Sequence, residues 1–261
     1  MKNRILIRIA LFCKALLLIS VFYSCSEKSN VAPVYAEIPD ANFKACLRKL
    51  VPLAFTADGK FISNHSSVVS YDEVMSLRRK NITSLSGIEH FTSLTSLDCF
   101  DNKISSVDLS KNKALTKIYC THNQLTQLDL SKNTNLIELN CSNNQLTTLD
   151  VSKNHNLIDL ICYNNLITNI KLGDNEVLRQ IYCPGNRLDF LDVRRNKGLI
   201  ELNCKANLRN TVIIVDPNSK LARLYLDSFI MCNHPSIKAF KDRGGELYGT
   251  FSEVLPPFTC K

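Results

Sequence analysis

The sequence predicts an α/β solenoid: a parallel β-sheet on the concave face, turns and extended segments on the convex face, and a helical N-terminal cap. Three observations carry this. Cys99, Cys120, Cys141, Cys162, Cys183 and Cys204 are each 21 residues from the next. Around each cysteine apolar and polar residues alternate, as in Ser96-Leu97-Asp98-Cys99-Phe100, the period of a strand with one buried face. One asparagine follows each cysteine by 3 residues and, in most coils, another stands 10 residues further on, as Asn102 and Asn112 do.

A strict short repeat brings every strand back to the same place, one strand spacing (~4.8 Å) along the stack. So short a coil leaves no room for a long helix on the return path. Each coil buries about five apolar side chains worth roughly 1.5–3 kcal/mol apiece, too little to offset the backbone entropy of a coil standing alone. The coils are therefore stable only when stacked, and the open ends of the stack need caps.

Residues 1–24 read as an export signal. Lys2, Arg4 and Arg8 make a basic start, and an apolar run from Ala15 to Tyr23 follows. The run is shorter than the roughly 20 residues a spanning helix needs. Phe22-Tyr23-Ser24-Cys25 resembles a bacterial lipobox, with Cys25 as the lipidated residue; cleavage by the ordinary signal peptidase is the alternative. Residues 25–36 read as a tether. The formal charge of +8 includes Lys2, Arg4, Arg8 and Lys14 of the signal and no acid from it, so the remainder carries 8 − 4 = +4. No basic run remains that would suggest a nucleic acid partner.

Residues 37–73 form the expected N-terminal cap. Asp40 is the expected N-cap of a helix that buries Phe43, Cys46, Leu47, Leu50 and Val51. Thr56-Ala57-Asp58-Gly59 is reminiscent of a calcium loop, but aligning Gly59 with that loop's glycine puts Ala54 first and His65 in place of the bidentate glutamate. A turn is expected there, and no metal site. Residues 74–230 hold the repeats. The first coil has Leu77 and the last Leu226 in the cysteine position. Residues 231–261 are the expected C-terminal cap, with a short helix before Gly244-Gly245 and a strand within Leu247 to Phe251. Cys232 and Cys260, the two cysteines of that cap, are a possible disulfide.

The cysteine column admits three roles. As small hydrophobes the thiols suit a narrow interior. As disulfides they would need Cβ atoms about 3.8 Å apart, whereas parallel neighbours sit about 4.8 Å apart. As metal ligands they would have to form a tetrahedron, which a straight column does not. Geometry favours the first. Asn102, Asn123, Asn144, Asn165, Asn186 and Asn207 are expected to turn inward and pair with backbone groups freed by the turn.

The pattern L-x-x-L-x-C-x-x-N-x-L is that of leucine-rich repeats. With cysteine in the third apolar position and L-D-L-S-x-N in the second half, it resembles internalin-J-like repeats. The lead-in Ile38-Pro39-Asp40-Ala41-Asn42-Phe43 and the segment Leu85-Ser86-Gly87-Ile88-Glu89 resemble the same group in Bacteroidota surface lipoproteins. The resemblance implies a lipid-anchored protein on the outer membrane or cell surface of a Gram-negative bacterium.

Residues alternating with the buried ones face out in three columns. The first contains Ser96, Lys117, Glu138, Asp159, Gln180, Glu201 and Arg223. The second contains Asp98, Tyr119, Asn140, Ile161, Tyr182, Asn203 and Tyr225. The third contains Phe100, Thr121, Ser142, Tyr163, Pro184, Lys205 and Asp227. Phe100, Tyr119, Ile161, Tyr163, Tyr182 and Tyr225 are expected exposed together, and clustered aromatics on an open face mark an interaction site. Asp98, Glu138, Asp159 and Glu201 on the same face favour a partner with basic character. Lys111, Lys132 and Lys153 form a column in the opposite turn. The expected function is adhesion or recognition of a protein on a host or bacterial surface through the concave face, by a monomer without cofactor. A glycan stacked on the tyrosines, or a spacer with no ligand, are the alternatives. The five histidines share no column and no catalytic motif occurs, so an enzyme is not expected.

Overall fold

The computed structural model describes residues 31–208, 211–216, 218–226, 240 and 242–248. The possible lipidation site Cys25, the pair Cys232 and Cys260, and Asp227 lie outside the described residues. All the elements below belong to the unit that begins at Val34.

A short antiparallel pair opens the fold, β1 (Tyr35–Ala36) with β2 (Phe61–Ile62). The tether expected to reach residue 36 therefore ends sooner. Backbone pairing recruits Tyr35 and Ala36 into the cap, and Val34 N–H donates to Asn64 Oδ1 at 2.9 Å. Between the two strands lies α1 (Ala41–Leu50), with Asp40 as its N-cap as expected. Phe43, Leu47 and Val51 are buried, while Cys46 and Leu50 are only half-buried. In the turn that follows, Asp58 accepts from Thr56 Oγ1 and lies 3.1 Å from the Lys60 ammonium. A lysine thus sits where a cation would need the carboxylate.

Nine three-residue strands then stack in parallel: β3 (Val74–Ser76), β4 (Ser96–Asp98), β5 (Lys117–Tyr119), β6 (Glu138–Asn140), β8 (Asp159–Ile161), β10 (Gln180–Tyr182), β12 (Glu201–Asn203), β14 (Arg223–Tyr225) and β15 (Glu246–Tyr248). The register pairs each residue with its equivalent one coil away, as in Glu138↔Asp159↔Gln180↔Glu201. The ninth strand comes from the expected C-terminal cap and extends the sheet, with Tyr225 opposite Tyr248. The return path is mostly turns. Two short parallel pairs interrupt it: β7 (Thr148–Asp150) with β9 (Asn169–Lys171), and β11 (Phe190–Asp192) with β13 (Val212–Ile214). The result is a parallel-sheet solenoid of leucine-rich-repeat type, with few helices.

Inside, each coil contributes leucines and isoleucines that are all but inaccessible to solvent, and the six cysteines join the same core. Cys99, Cys120, Cys141, Cys162 and Cys183 are unbridged thiols, and among the described residues no group of histidine, cysteine and acid side chains could hold a metal. The Sγ atoms of Cys120 and Cys141 lie 3.7 and 3.8 Å from the carbonyl oxygens of Asn140 and Ile161 in the next strand. Burial pushes the Cys141 and Cys183 thiols up to about 12. They are inert core groups at neutral pH.

Two asparagine columns close the coils. Asn144 Nδ2 donates to the carbonyls of Cys120 and Cys141, both at 3.0 Å, and its Oδ1 accepts Leu125 N–H at 2.9 Å. One side chain thereby satisfies backbone groups of two successive coils. Asn102, Asn123, Asn165, Asn186 and Asn207 repeat the arrangement. At the second turn Asn133 and Asn154 are fully buried and donate to carbonyls of the preceding coil.

Candidate functional site: the outer face of the nine-stranded sheet

In the first two columns neighbouring members lie directly opposite one another, as expected, but Ser96 and Asn203 of these columns, and Thr121 and Ser142 of the third, are buried by the coils beside them. Their availability is not as expected. Of the six apolar and aromatic residues, Tyr182 is exposed, at 41%, whereas Phe100, Tyr119, Ile161, Tyr163 and Tyr225 are half-buried. The cause is contact between adjacent coils. Tyr163 and Tyr182 meet edge to face, with centroids 5.9 Å apart, and Tyr225 stacks on Tyr248 at 4.6 Å. Phe100 is covered differently. Arg78 and Arg79 lie over its ring at 4.8 and 5.4 Å, and His122 meets its edge at 5.5 Å.

The acids divide in the same way. Arg78 Nη1 is 3.1 Å from Asp98, Lys117 Nζ is 2.6 Å from Glu138, and Arg223 Nη2 is 2.5 Å from Glu201. Tyr119 O–H also donates to Glu138. The bonds from Lys117 and Tyr119 hold the Glu138 carboxyl below its usual range. Burial, and then the bond to Glu138, push the Tyr119 phenol up to about 12. Asp159 is the exception: no described cation pairs with it. Burial and the neighbouring Glu138 charge raise its carboxyl, and Lys117 offsets this only in part.

One column escaped the reading by alternation. Ile137, Ile158 and Ile200 immediately precede the first outward column, and strict alternation would turn them inward. Instead the backbone bends there: Ile158 and Asp159 N–H both point at Ile137 O, at 2.8 and 3.3 Å. The bend leaves Ile158 and Ile200 exposed, at 37% and 38%, along one border of the sheet. Recurrence at the same place in the repeat was the available signal. On the opposite turn Lys111, Lys132 and Lys153 are exposed, and Arg195 bonds Asp174 at 2.9 Å.

The model for "Leucine Rich repeats (2 copies)" matches residues 92–133. Among solved structures, an internalin (inlF) of Listeria monocytogenes shares 16% identity at a TM-score of 0.58, covering 83% of this chain and 72% of its own. Internalin C2 (inlC2) of the same organism shares 19% at 0.51, covering 72% of this chain and 93% of its own. The functional domain of InlJ, also from Listeria monocytogenes, includes a cysteine ladder; it shares 24% identity at a TM-score of 0.43, and covers 74% of this chain. This chain spans 56% of that InlJ domain, less than two thirds of its length. No curated protein matches by sequence. Repeat pattern, sheet register and structural likeness agree on the fold: a leucine-rich-repeat solenoid, similar in fold to the internalins, with a column of buried cysteines in its core.

Proposed function

We propose that the chain is a recognition module that binds a protein through the outer face of its nine-stranded sheet. The observation that carries this is the middle of the face. There Ile161, Tyr163 and Tyr182 lie together on neighbouring coils, bordered by Ile158, and among the described residues none of the intrachain ion pairs that occupy the flanks reaches them. Apolar and aromatic groups on a rigid, open sheet suit a macromolecular partner better than a small molecule, which favours a closed cavity. Leucine-rich-repeat solenoids offer such a surface without having to fold on binding, and the internalin-like fold is consistent with this use.

Replacing Tyr119, Tyr163 and Tyr182 together by alanine is the test. Loss of protein capture from a cell-surface extract, with unchanged behaviour on a glycan array, supports protein recognition. The reverse result supports sugar stacking on the tyrosines. No change in either assay means that this face is not the binding surface.

The basic start, the short apolar run and Ser24-Cys25 support attachment to a membrane through a lipid on Cys25. The Cys25→Ala variant is then expected in the soluble fraction. If it still sediments with membranes, the anchor is something else.

A further inference from the structure

We infer that the partner inserts a lysine or arginine side chain at Asp159, with its aliphatic stem lying along the neighbouring isoleucines. The inference rests on the sheet-face reading above and narrows it. Asp159 belongs to β8, the fifth of the nine strands, so it marks the middle of the face. On either side the chain neutralises its own carboxylates: Asp98 with Arg78, Glu138 with Lys117, Glu201 with Arg223. Among the described residues no cation pairs with Asp159; Lys117, whose charge partly offsets it, is bonded to Glu138. A half-buried carboxylate beside a second acid, without a cation of its own, is electrostatically incomplete. Gln180, its neighbour on β10, is neutral.

The surroundings select the form of the cation. Ile158 precedes Asp159, and Ile161 lies two residues further along the same strand, next to Tyr182 on β10. Lysine and arginine carry an apolar stem that needs an apolar wall and a charged head that needs a counter-ion, and the two lie side by side here. Arginine can in addition stack on the Tyr182 ring, which is accessible. A free metal ion would gain nothing from the isoleucines, and an anionic surface would be repelled by Asp159 and Glu138. Charge complementarity therefore points to a basic, aliphatic-flanked segment of a protein.

The probe is a phage-displayed library of random linear peptides, selected on the full chain. Selected peptides are expected to carry arginine or lysine beside an aliphatic or aromatic residue. Their affinity should fall about tenfold on Asp159→Asn, and also when salt is raised from about 0.15 to 0.5 M. Asp159→Asn removes an unpaired charge without changing shape, so its melting temperature should equal or exceed that of the parent; this separates lost binding from lost folding. A paired exchange, Asp159→Lys against a peptide whose basic residue is changed to glutamate, should restore binding. Peptides that lose affinity on Tyr182→Ala but change less than twofold on Asp159→Asn would overturn the cation inference and leave the sheet-face reading standing. Peptides indifferent to both substitutions would overturn both.

Discussion

Asp40 Oδ2 accepts hydrogen bonds from both the backbone N–H and the hydroxyl of Thr83, each at 2.7 Å. The same carboxylate accepts Ser84 N–H at 3.2 Å and, through Oδ1, Phe43 N–H at 2.8 Å. One side chain thus starts α1 and fastens it to the first coil. Asp40→Ala leaves four donors without this acceptor, and hydrogen bonds to charged groups contribute about 1.5–3 kcal/mol each, net. Water reaches part of the site, so a loss of about 3 kcal/mol is expected in chemical denaturation.

Asp40 also predicts an acid response. Burial acts to raise its carboxyl, and the bonds from Phe43, Thr83 and Ser84 together outweigh burial and leave it below its ordinary value. A group with a lowered folded-state value contributes stability that is present above its unfolded value, near 3.9, and lost as pH falls through the folded value. Asp40→Asn should therefore flatten the fall in stability below about pH 4. A variant whose acid unfolding runs parallel to that of the parent would contradict this.

Asn144 should be among the most sensitive positions of the stack. Asn144→Ala orphans the N–H of Leu125 in the interior and takes from the carbonyls of Cys120 and Cys141 one of their two amide donors, the others being Asn123 and Asn165. A loss of about 2–3 kcal/mol is expected. Because each coil touches only its neighbours, amide exchange should accelerate first around residues 120–145 and not evenly along the chain.

The buried thiols make a chemical prediction. Labelling the folded protein with iodoacetamide at about pH 8.5, near the ordinary thiol value, should leave Cys99, Cys120, Cys141, Cys162 and Cys183 unmodified. Half-buried Cys46, whose thiol is raised by burial, should react slowly. Labelling of the column without unfolding would mean that the stack opens readily. Cys141→Ala should lower stability by about 1–2 kcal/mol, through a small cavity.

Ala206 offers a gain. Its φ of +50° repeats the left-handed turn that Asn143, Asn164 and Gly185 occupy in earlier coils. A β-carbon costs about 1–2 kcal/mol in that region, against a smaller entropic cost for glycine. Ala206→Gly should stabilise the protein by about 0.5–1 kcal/mol in thermal or denaturant melts.

Much of this could be read directly from the residues. The 21-residue spacing of Cys99 to Cys204 implied the strand register, and alternation about Leu97 or Leu139 identified the outward columns. Asp40 was recognisable as a cap because an acid before an apolar helical pattern has few other uses. The isoleucine border was missed because two successive N–H groups share one carbonyl there, and that bend breaks the alternation. Phe100 was expected to be available, but the arginine side chains that cover it come from the coil before, reaching across the stack.

The sequence by itself determined the solenoid, its register, its buried cysteine column and which residues stand in line from coil to coil. These follow from periodicity, because identical spacing forces equivalent residues into the same place in successive coils. Only the tertiary structure decided which members of the face are already engaged. Lys117 with Glu138, Arg223 with Glu201 and Tyr225 with Tyr248 are contacts between coils, set by side-chain reach and orientation. Periodicity places the residues opposite one another but does not specify those rotamers, so it could not show that Asp159, of the four central acids, is the one with no ion-pair partner among the described residues.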